Sequence, residues 1–299
     1  PAHQIDLSQI LIDRSADFVD KVCEQVGRAY DAERDQWMGD RGGIRQQWVA
    51  ELLSSRAVDV RGAESALSYR LAGTHVAVQM WAPADAAGVD ARAGFEEVRR
   101  QLSAHFSPVA HPLLVPRDER EMHAWFPVRD TFVLPHDAIG AALGTSRGLE
   151  VQVAMGRPER GVDGFRLTFG QARRVKDVML VSTSRLPKAV AYDQLGPIGL
   201  MASDVDGLRR FVLRALGRLA IDGEREETLR ETLREFLEHN RSFAATAQAM
   251  VLHRNSVQYR IQRALELCER DLNEPDVALD LRVALDAARW LGRAVLIAD

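Results

Sequence analysis

The chain predicts a multidomain α+β protein, with a helical N-terminal region at residues 1–69, an α+β middle domain at 70–203 and an all-α C-terminal domain at 204–299. Three observations carry that expectation. Apolar residues recur at helical spacing as far as about Tyr69, strand-like and helical runs then alternate, and two helical patterns separated by a very tight turn follow near the C-terminus. At 299 residues, 46% of them hydrophobic, the chain exceeds one average domain and fills more than one core.

In the first region Leu7, Ile10, Leu11, Phe18, Val22 and Val26 form one amphipathic stripe, and Ile44, Trp48 and Leu52 form another. The Gly39 to Gly43 run between them, GDRGG, lacks the Lys-Ser/Thr and the preceding strand of a phosphate-binding loop, so it reads as a turn. The opening segment PAHQIDLSQILIDR has no basic stretch leading into an apolar one. No run approaches the roughly 18 apolar residues that span a bilayer. A soluble, cytoplasmic protein with no membrane partner is expected.

In the middle domain His75 to Ala82 reads as a strand, Pro83 to Gly88 as a turn and Phe95 to Leu102 as a helix. Further strand candidates are Pro112 to Val115, His123 to Pro127, Glu150 to Met155 and Val178 to Val181, while Phe165 to Val181 carries a helix on its Phe169, Ala172, Val175 side. Gly144 to Gly148 spells the G-x-S-x-G string of a nucleophile elbow in reversed context. A helical AIGAAL precedes it and the strand-like LEVQVAM follows, so it reads as a helix-to-strand turn. The eight histidines show no paired metal spacing, and His105 and His111 read as loop or surface residues. Cys23 and Cys268, far apart in helical patterns, read as small core residues. No cofactor or metal is expected.

Asn240 to Leu267 reads as a helix-turn-helix. Asn240 or Ser242 caps a first helix with Phe243, Ala247 and Met250 inward, and its small alanines let a second helix cross closely. The pattern breaks at Val251-Leu252. A second helix follows His253 to Asn255, with Val257, Ile261, Ala264 and Leu265 inward and Asn255, Ser256, Gln258, Tyr259, Gln262 and Arg263 outward. Between Arg241 and Leu265 stand four arginines and no acid, although six glutamates precede and Glu266 and Glu269 follow. A net charge of −4 argues against a nonspecific nucleic-acid coat, but steering to DNA needs only a local basic face.

The roles follow from position. Arg241 and Arg254 stand at helix starts, where backbone amides and positive charge meet phosphates. Ser242 and His253 head the two helices. Asn255, Ser256, Gln258 and Tyr259 face the groove floor, and Arg263 its edge. Arg260 shares a side with Val257 and either reaches DNA or pairs with a glutamate of the neighbouring helix. A last helix opened by Asn273 and Pro275 has Val277, Leu281, Leu285, Ala288 and Leu291 on one stripe; it caps this core or buries against a second subunit. A homodimer reading two half-sites on double-stranded DNA is the expected assembly. The competing classes are a signalling enzyme and a protein-interaction module with a helical appendage.

From about Glu227 onward the chain resembles the DNA-binding domain of the PucR/CdaR family of bacterial transcriptional regulators. The matching pieces are the Leu229-Leu233-Phe236-Leu237 helix, the Ser242 to Met250 helix, LHRNSVQYRI at Leu252 to Ile261, and the tail DLNEPDVALDLRVALDAARWL. His253, Arg254, Asn255, Tyr259 and Arg260 match the recognition-helix motif, and Ser256 stands where threonine is more usual. From about Leu71 to Leu200 the chain is similar to the degenerate GGDEF-like domain that precedes this helix-turn-helix in many members. That resemblance places the hairpin of active cyclases at His123 to Asp130, which has no glycine pair and no adjacent carboxylates. It therefore implies a non-enzymatic regulator responding to an unidentified small-molecule effector or a partner, with control of catabolic genes.

Overall fold

The structure is a computed structural model that describes residues 43–54, 57–83, 91–145 and 150–298. The first stripe from Leu7 to Val26, Cys23, most of the GDRGG run, the greater part of the Pro83 to Gly88 turn and Ser146 to Gly148 lie outside the described residues. The chain forms two compact units that divide after Tyr69. In the first unit, α1 (residues 43–54) buries Val49 and Leu52, while Ile44 of the expected stripe is 52% exposed. Helix α2 (Val60–Leu67) follows, capped by the Asp59 carboxylate, which accepts from the Gly62 N–H at 3.1 Å.

The second unit begins with a mixed sheet. Its strands are β1 (Thr74–Trp81), β2 (Leu113–Pro116), β3 (Glu121–Val128), β4 (Gln152–Met155), the two-residue β5 (Glu159–Arg160) and β6 (Ala189–Ala191), in the order β2-β3-β1-β4-β6 with β5 paired to the start of β1. β1 runs antiparallel to β3, with Val76 opposite Phe126, and to β4; β4 and β6 are parallel. Every residue of β1 is buried because both sheet faces are covered. Val76, Val78 and Met80 meet α3 (Ala91–Phe106) and α4 (His136–Thr145) through Phe95, Val98, Leu102, Ile139 and Leu143. The opposite face carries α5 (Gly161–Val181): the Trp125 ring stacks on Phe165 at 4.4 Å and its indole N–H donates to the Phe165 carbonyl.

Two sequence readings are corrected here. Val178 to Val181 is the last turn of α5, not a strand. Phe165, Thr168, Ala172, Val175 and Val178 are all buried at helical spacing, and nothing breaks the helix before Ser182. The β2–β3 hairpin turns at residues 117–120, where Arg117 N–H donates to the Glu121 carbonyl, so His123 to Val128 is a central strand. The resemblance had laid the hairpin on His123 to Asp130, but Pro127 sits opposite His75 in the ladder, within the strand. The true turn does contain adjacent carboxylates, Asp118 and Glu119. Among the described residues no group of three His, Cys, Asp or Glu side chains is placed to hold a metal ion.

Helices complete the unit. The short α6 (Tyr192–Leu195) and α7 (Ile198–Met201) lead to α8 (Val205–Leu216), capped by Asp204, then to a 3-10 turn at Gly217–Ala220. After them come α9 (Glu224–Glu238), α10 (Phe243–Ala249), α11 (Arg254–Cys268) and α12 (Val277–Leu291). One buried cluster runs unbroken from Trp81, Ala154 and Val190 of the sheet, through Val175 and Val178 of α5, into α8, α9, α11 and α12. The α12 stripe is spent inside the subunit, against α8, α9, α5 and α7. Cys268 is buried at the end of α11, where loss of hydration pushes its thiol up to about 12, as expected of a small core residue.

The α10–α11 turn closes as a Schellman motif: Leu252 N–H donates to the Ala247 carbonyl and Val251 N–H to the Gln248 carbonyl. Val251 holds the left-handed position at φ 55°, and a β-branched residue there is strained by roughly 1–2 kcal/mol. Replacing it with asparagine, which tolerates that conformation, should raise stability by about 1 kcal/mol in urea unfolding. Gly156, at the end of β4, is fixed by a different constraint, since a Cβ there would lie 2.1 Å from the Thr168 carbonyl oxygen of α5. Gly156→Ala should cost about 1–3 kcal/mol. The same change at Gly140 in α4, where a Cβ meets nothing within 4 Å, should stabilise the helix by about 0.5–1 kcal/mol.

Two buried histidines make stability depend on pH. His75 is fully buried with its Nε2 bonded to the Leu71 carbonyl, and His123 bonds Glu121 at 2.8 Å; burial lowers both pKa values. The unfolded chain then takes up more protons than the folded one below about pH 6.5, so the contribution is intact above that pH and is lost below it. Urea midpoints should fall between about pH 7.5 and about pH 5.5, and His75→Gln should shrink the difference. An undiminished difference in the variant would remove His75 as a cause.

Candidate nucleic-acid interface

The helix-turn-helix is α10 and α11 set on α9. Helix α9 ends at His239, and Asn240 and Arg241 follow with φ of 51° and 63°, turning the chain sharply. Ser242, not Asn240, caps α10 by accepting from the Ala245 N–H at 3.3 Å. The Thr246 hydroxyl donates to the Ser242 carbonyl, so the buried polar group is satisfied. Phe243 packs against Phe236 of α9 with ring centroids 4.6 Å apart. Beyond the turn, His253 caps α11 through Nδ1, which accepts from the Asn255 N–H at 3.2 Å.

Val257, Ile261, Ala264, Leu267 and Cys268 are the buried face of α11 and meet Leu229, Leu233 and Phe236 of α9 in one cluster; Leu265 is half-buried. That anchoring fixes the opposite face outward. Arg254, Asn255, Ser256, Gln258 and Tyr259 are all exposed, Tyr259 to 65%. The sequence therefore places the first two turns of α11 correctly as a free polar surface. Val251 is 90% exposed beside them, and the sequence showed it only as a break in the pattern.

Charge is graded along α11. Among the described residues Arg254 has no carboxylate partner, and it stands at the positive end of the α11 dipole, where the Asn255 N–H is capped by His253 Nδ1 and the Ser256 N–H donates to the His253 carbonyl at 3.0 Å. Arg260 is half-buried, and the ion pair with a neighbouring helix that its position allowed is not formed among the described residues. Towards the other end Arg263 bonds Glu266 at 2.8 Å and Gln262 leans on the same carboxylate at 3.4 Å. Gln258 and Gln262 also border a groove with Glu266, Glu269, Asp271 and Glu274. The basic surface is thus confined to the N-terminal turns. Arg241 is exposed, and its Nη1 donates to the Leu272 carbonyl at 2.8 Å, tying the α9–α10 turn to the segment before α12. It lines a cleft with Leu237, Ala278 and Arg282.

Comparison with known proteins matches residues 229–287 to the PucR C-terminal helix-turn-helix domain and residues 53–178 to the GGDEF-like domain. The chain is 34% identical over 140 residues to the carbohydrate diacid regulator of Escherichia coli (strain K12), covering 46% of this chain and 35% of that protein. It is 33% identical over 87 residues to the purine catabolism regulatory protein of Bacillus subtilis (strain 168), covering 29% of this chain and 16% of that one. With the transcriptional activator PmfR of Paenarthrobacter nicotinovorans it shares 36% identity over 76 residues, 25% of this chain and 16% of that one. The chain thus spans about a third or less of the length of these relatives. A GGDEF-like domain followed by a PucR helix-turn-helix is the arrangement that the residues from about Leu71 to Leu200 and at Leu252 to Ile261 had suggested, and in both domains the chain is similar to the PucR/CdaR family of transcriptional regulators.

Proposed function

We propose that the protein is a sequence-specific, double-stranded-DNA-binding transcriptional regulator that works as a homodimer in the cytoplasm, without catalytic activity of its own. The observation that carries this reading is the acid-free, exposed polar face of the first turns of α11, Arg254, Asn255, Ser256, Gln258 and Tyr259, held outward by a buried stripe on α9. Two such helices related by a two-fold axis would read half-sites one helical turn apart, about 34 Å. The names of the relatives support control of catabolic genes in response to a metabolite or a partner. No helix among the described residues is long and apolar enough to cross a membrane.

Within the interface Arg254 positions a phosphate, aided by the α11 amides, and Arg241 offers a phosphate the guanidinium N–H groups that Leu272 does not take. Ser242 and His253 are the caps that set the two helix starts. Asn255, Ser256, Gln258 and Tyr259 supply base contacts, while Arg260 and Arg263 flank the groove. Anisotropy titrations against promoter fragments and random duplex, each at two salt concentrations, test this assignment. Arg254→Ala should weaken binding to every duplex and flatten the salt slope by about one unit. Gln258→Ala should cost on the order of 1–3 kcal/mol at its cognate base only. Equal losses on cognate and random DNA for both variants would remove Gln258 as a base reader, and binding without salt-sensitive preference would sink the regulator reading.

A further inference from the structure

Between the segment that leaves α5 and the adjoining faces of α9 and α12 lies a cavity of about 610 Å³. Five arginines line it, Arg185, Arg230, Arg234, Arg289 and Arg293, against three carboxylates. Those carboxylates do not neutralise the arginines one for one. Asp222 is bonded to Arg293 at 2.7 Å, and Arg234 turns to Glu235 and Glu238, which lie outside the lining. Arg185 and Arg289 are exposed and form no close ion pair among the described residues, although Arg289 acts through space on the Asp286 carboxylate; Arg289 also lies over the ring of its neighbour Trp290.

Arg230 is the unusual member. It is 7% exposed, its guanidinium does not deprotonate at physiological pH, and its Nη1 donates to two main-chain carbonyls, Leu219 at 2.8 Å and Ile221 at 2.6 Å. Asp222, Glu227 and Glu226 act on it through space without bonding it. A buried cation held by neutral dipoles leaves N–H donors and net charge for an anion to satisfy. The hydroxyls of Thr183 and Ser184 also line the cavity, close to Gly292, at φ 57°, where a Cβ would lie 2.7 Å from both oxygens; that of Thr183 donates to the Leu291 carbonyl at 3.3 Å and accepts from the Arg293 N–H at 2.7 Å.

We propose that this cavity binds a small, multiply charged oxyanion, a dicarboxylate or a phosphate ester, through the guanidinium groups of Arg230, Arg185 and Arg289. Planar guanidinium forks match carboxylate and phosphate oxygens two at a time, and the neighbouring hydroxyls suit a ligand that also carries hydroxyl groups. Such an anion would cross-link the end of α5 to α12 and to α9, the helix that holds α11. Its effect on DNA rests on the proposed DNA-binding function, whereas its binding does not.

The experiment uses the full chain, with sodium pyrophosphate and sodium tartrate as probes in calorimetry and sodium chloride at equal ionic strength as the control. One of the two probes should give saturable binding, weakened about tenfold in Arg185→Gln/Arg289→Gln, whose side chains are exposed. The variant's own unfolding curve should be unchanged. No saturable heat with either probe, or equal affinity in the variant, overturns the site. DNA titrations form a separate arm: a change in DNA affinity with the bound probe in the wild type alone supports coupling. Calorimetric binding with no such change overturns the coupling and leaves the site standing.

Discussion

The arrangement of the second unit depends on one apolar seam. Trp81 and Val190 begin it at the sheet, Val175 and Val178 carry it along α5, and Val212, Leu285 and Leu291 continue it through α8 and α12 to α9, the helix that supports α11. Apolar burial is roughly proportional to area and has no preferred direction, so a seam of this kind fixes elements by shape, and close packing transmits displacement along it. Helix α12 is the shared member. Its buried residues pack against α5, α7 and α8 and also against α9, the helix on which α10 and α11 are set, which is why a stripe that reads in sequence as a choice between core and subunit interface is wholly enclosed.

What the sequence made legible follows from the length and regularity of the signal. Val257, Ile261 and Ala264 set a helical period with polar residues between them, and caps at Ser242 and His253 mark both starts, so α10 and α11 are readable from residues alone. β1 was readable as a run of eight and α5 as a long stripe. β6 has three residues and β5 two, too few for any period, and both depend on pairing that only the folded sheet supplies. Helix α8 did carry a signal, an Asp204 cap before Leu208, Val212 and Ala215, within a stretch read only as the start of an all-α region. The hairpin was misplaced because the resemblance was laid on His123 to Asp130, whose ladder with β1 only the folded sheet shows.

The electrostatic layout was legible in composition but not in geometry. Four arginines without an acid predict a basic surface, yet Arg241 is partly engaged by the Leu272 carbonyl and Arg263 by Glu266, which lies one turn further along its own helix. Only three-dimensional neighbours show that α11 changes from basic to acidic along its length. The arginine-lined cavity has no linear signature at all, since its walls come from residues more than a hundred positions apart.

The unbroken seam also bears on how such a protein can be assembled from parts. Two domains joined by a tether can be exchanged freely, because each keeps its own surface. Here a cut between residues 203 and 204 would leave Val175 and Val178 on one fragment and Val212 and Leu285 on the other without their mutual cover, two sticky faces where the intact chain has none. Recombination that joined this helix-turn-helix to a foreign sensor would have to bring a matching apolar surface with it. The helix-turn-helix and the sheet domain share one core, so neither can be exchanged without such a match.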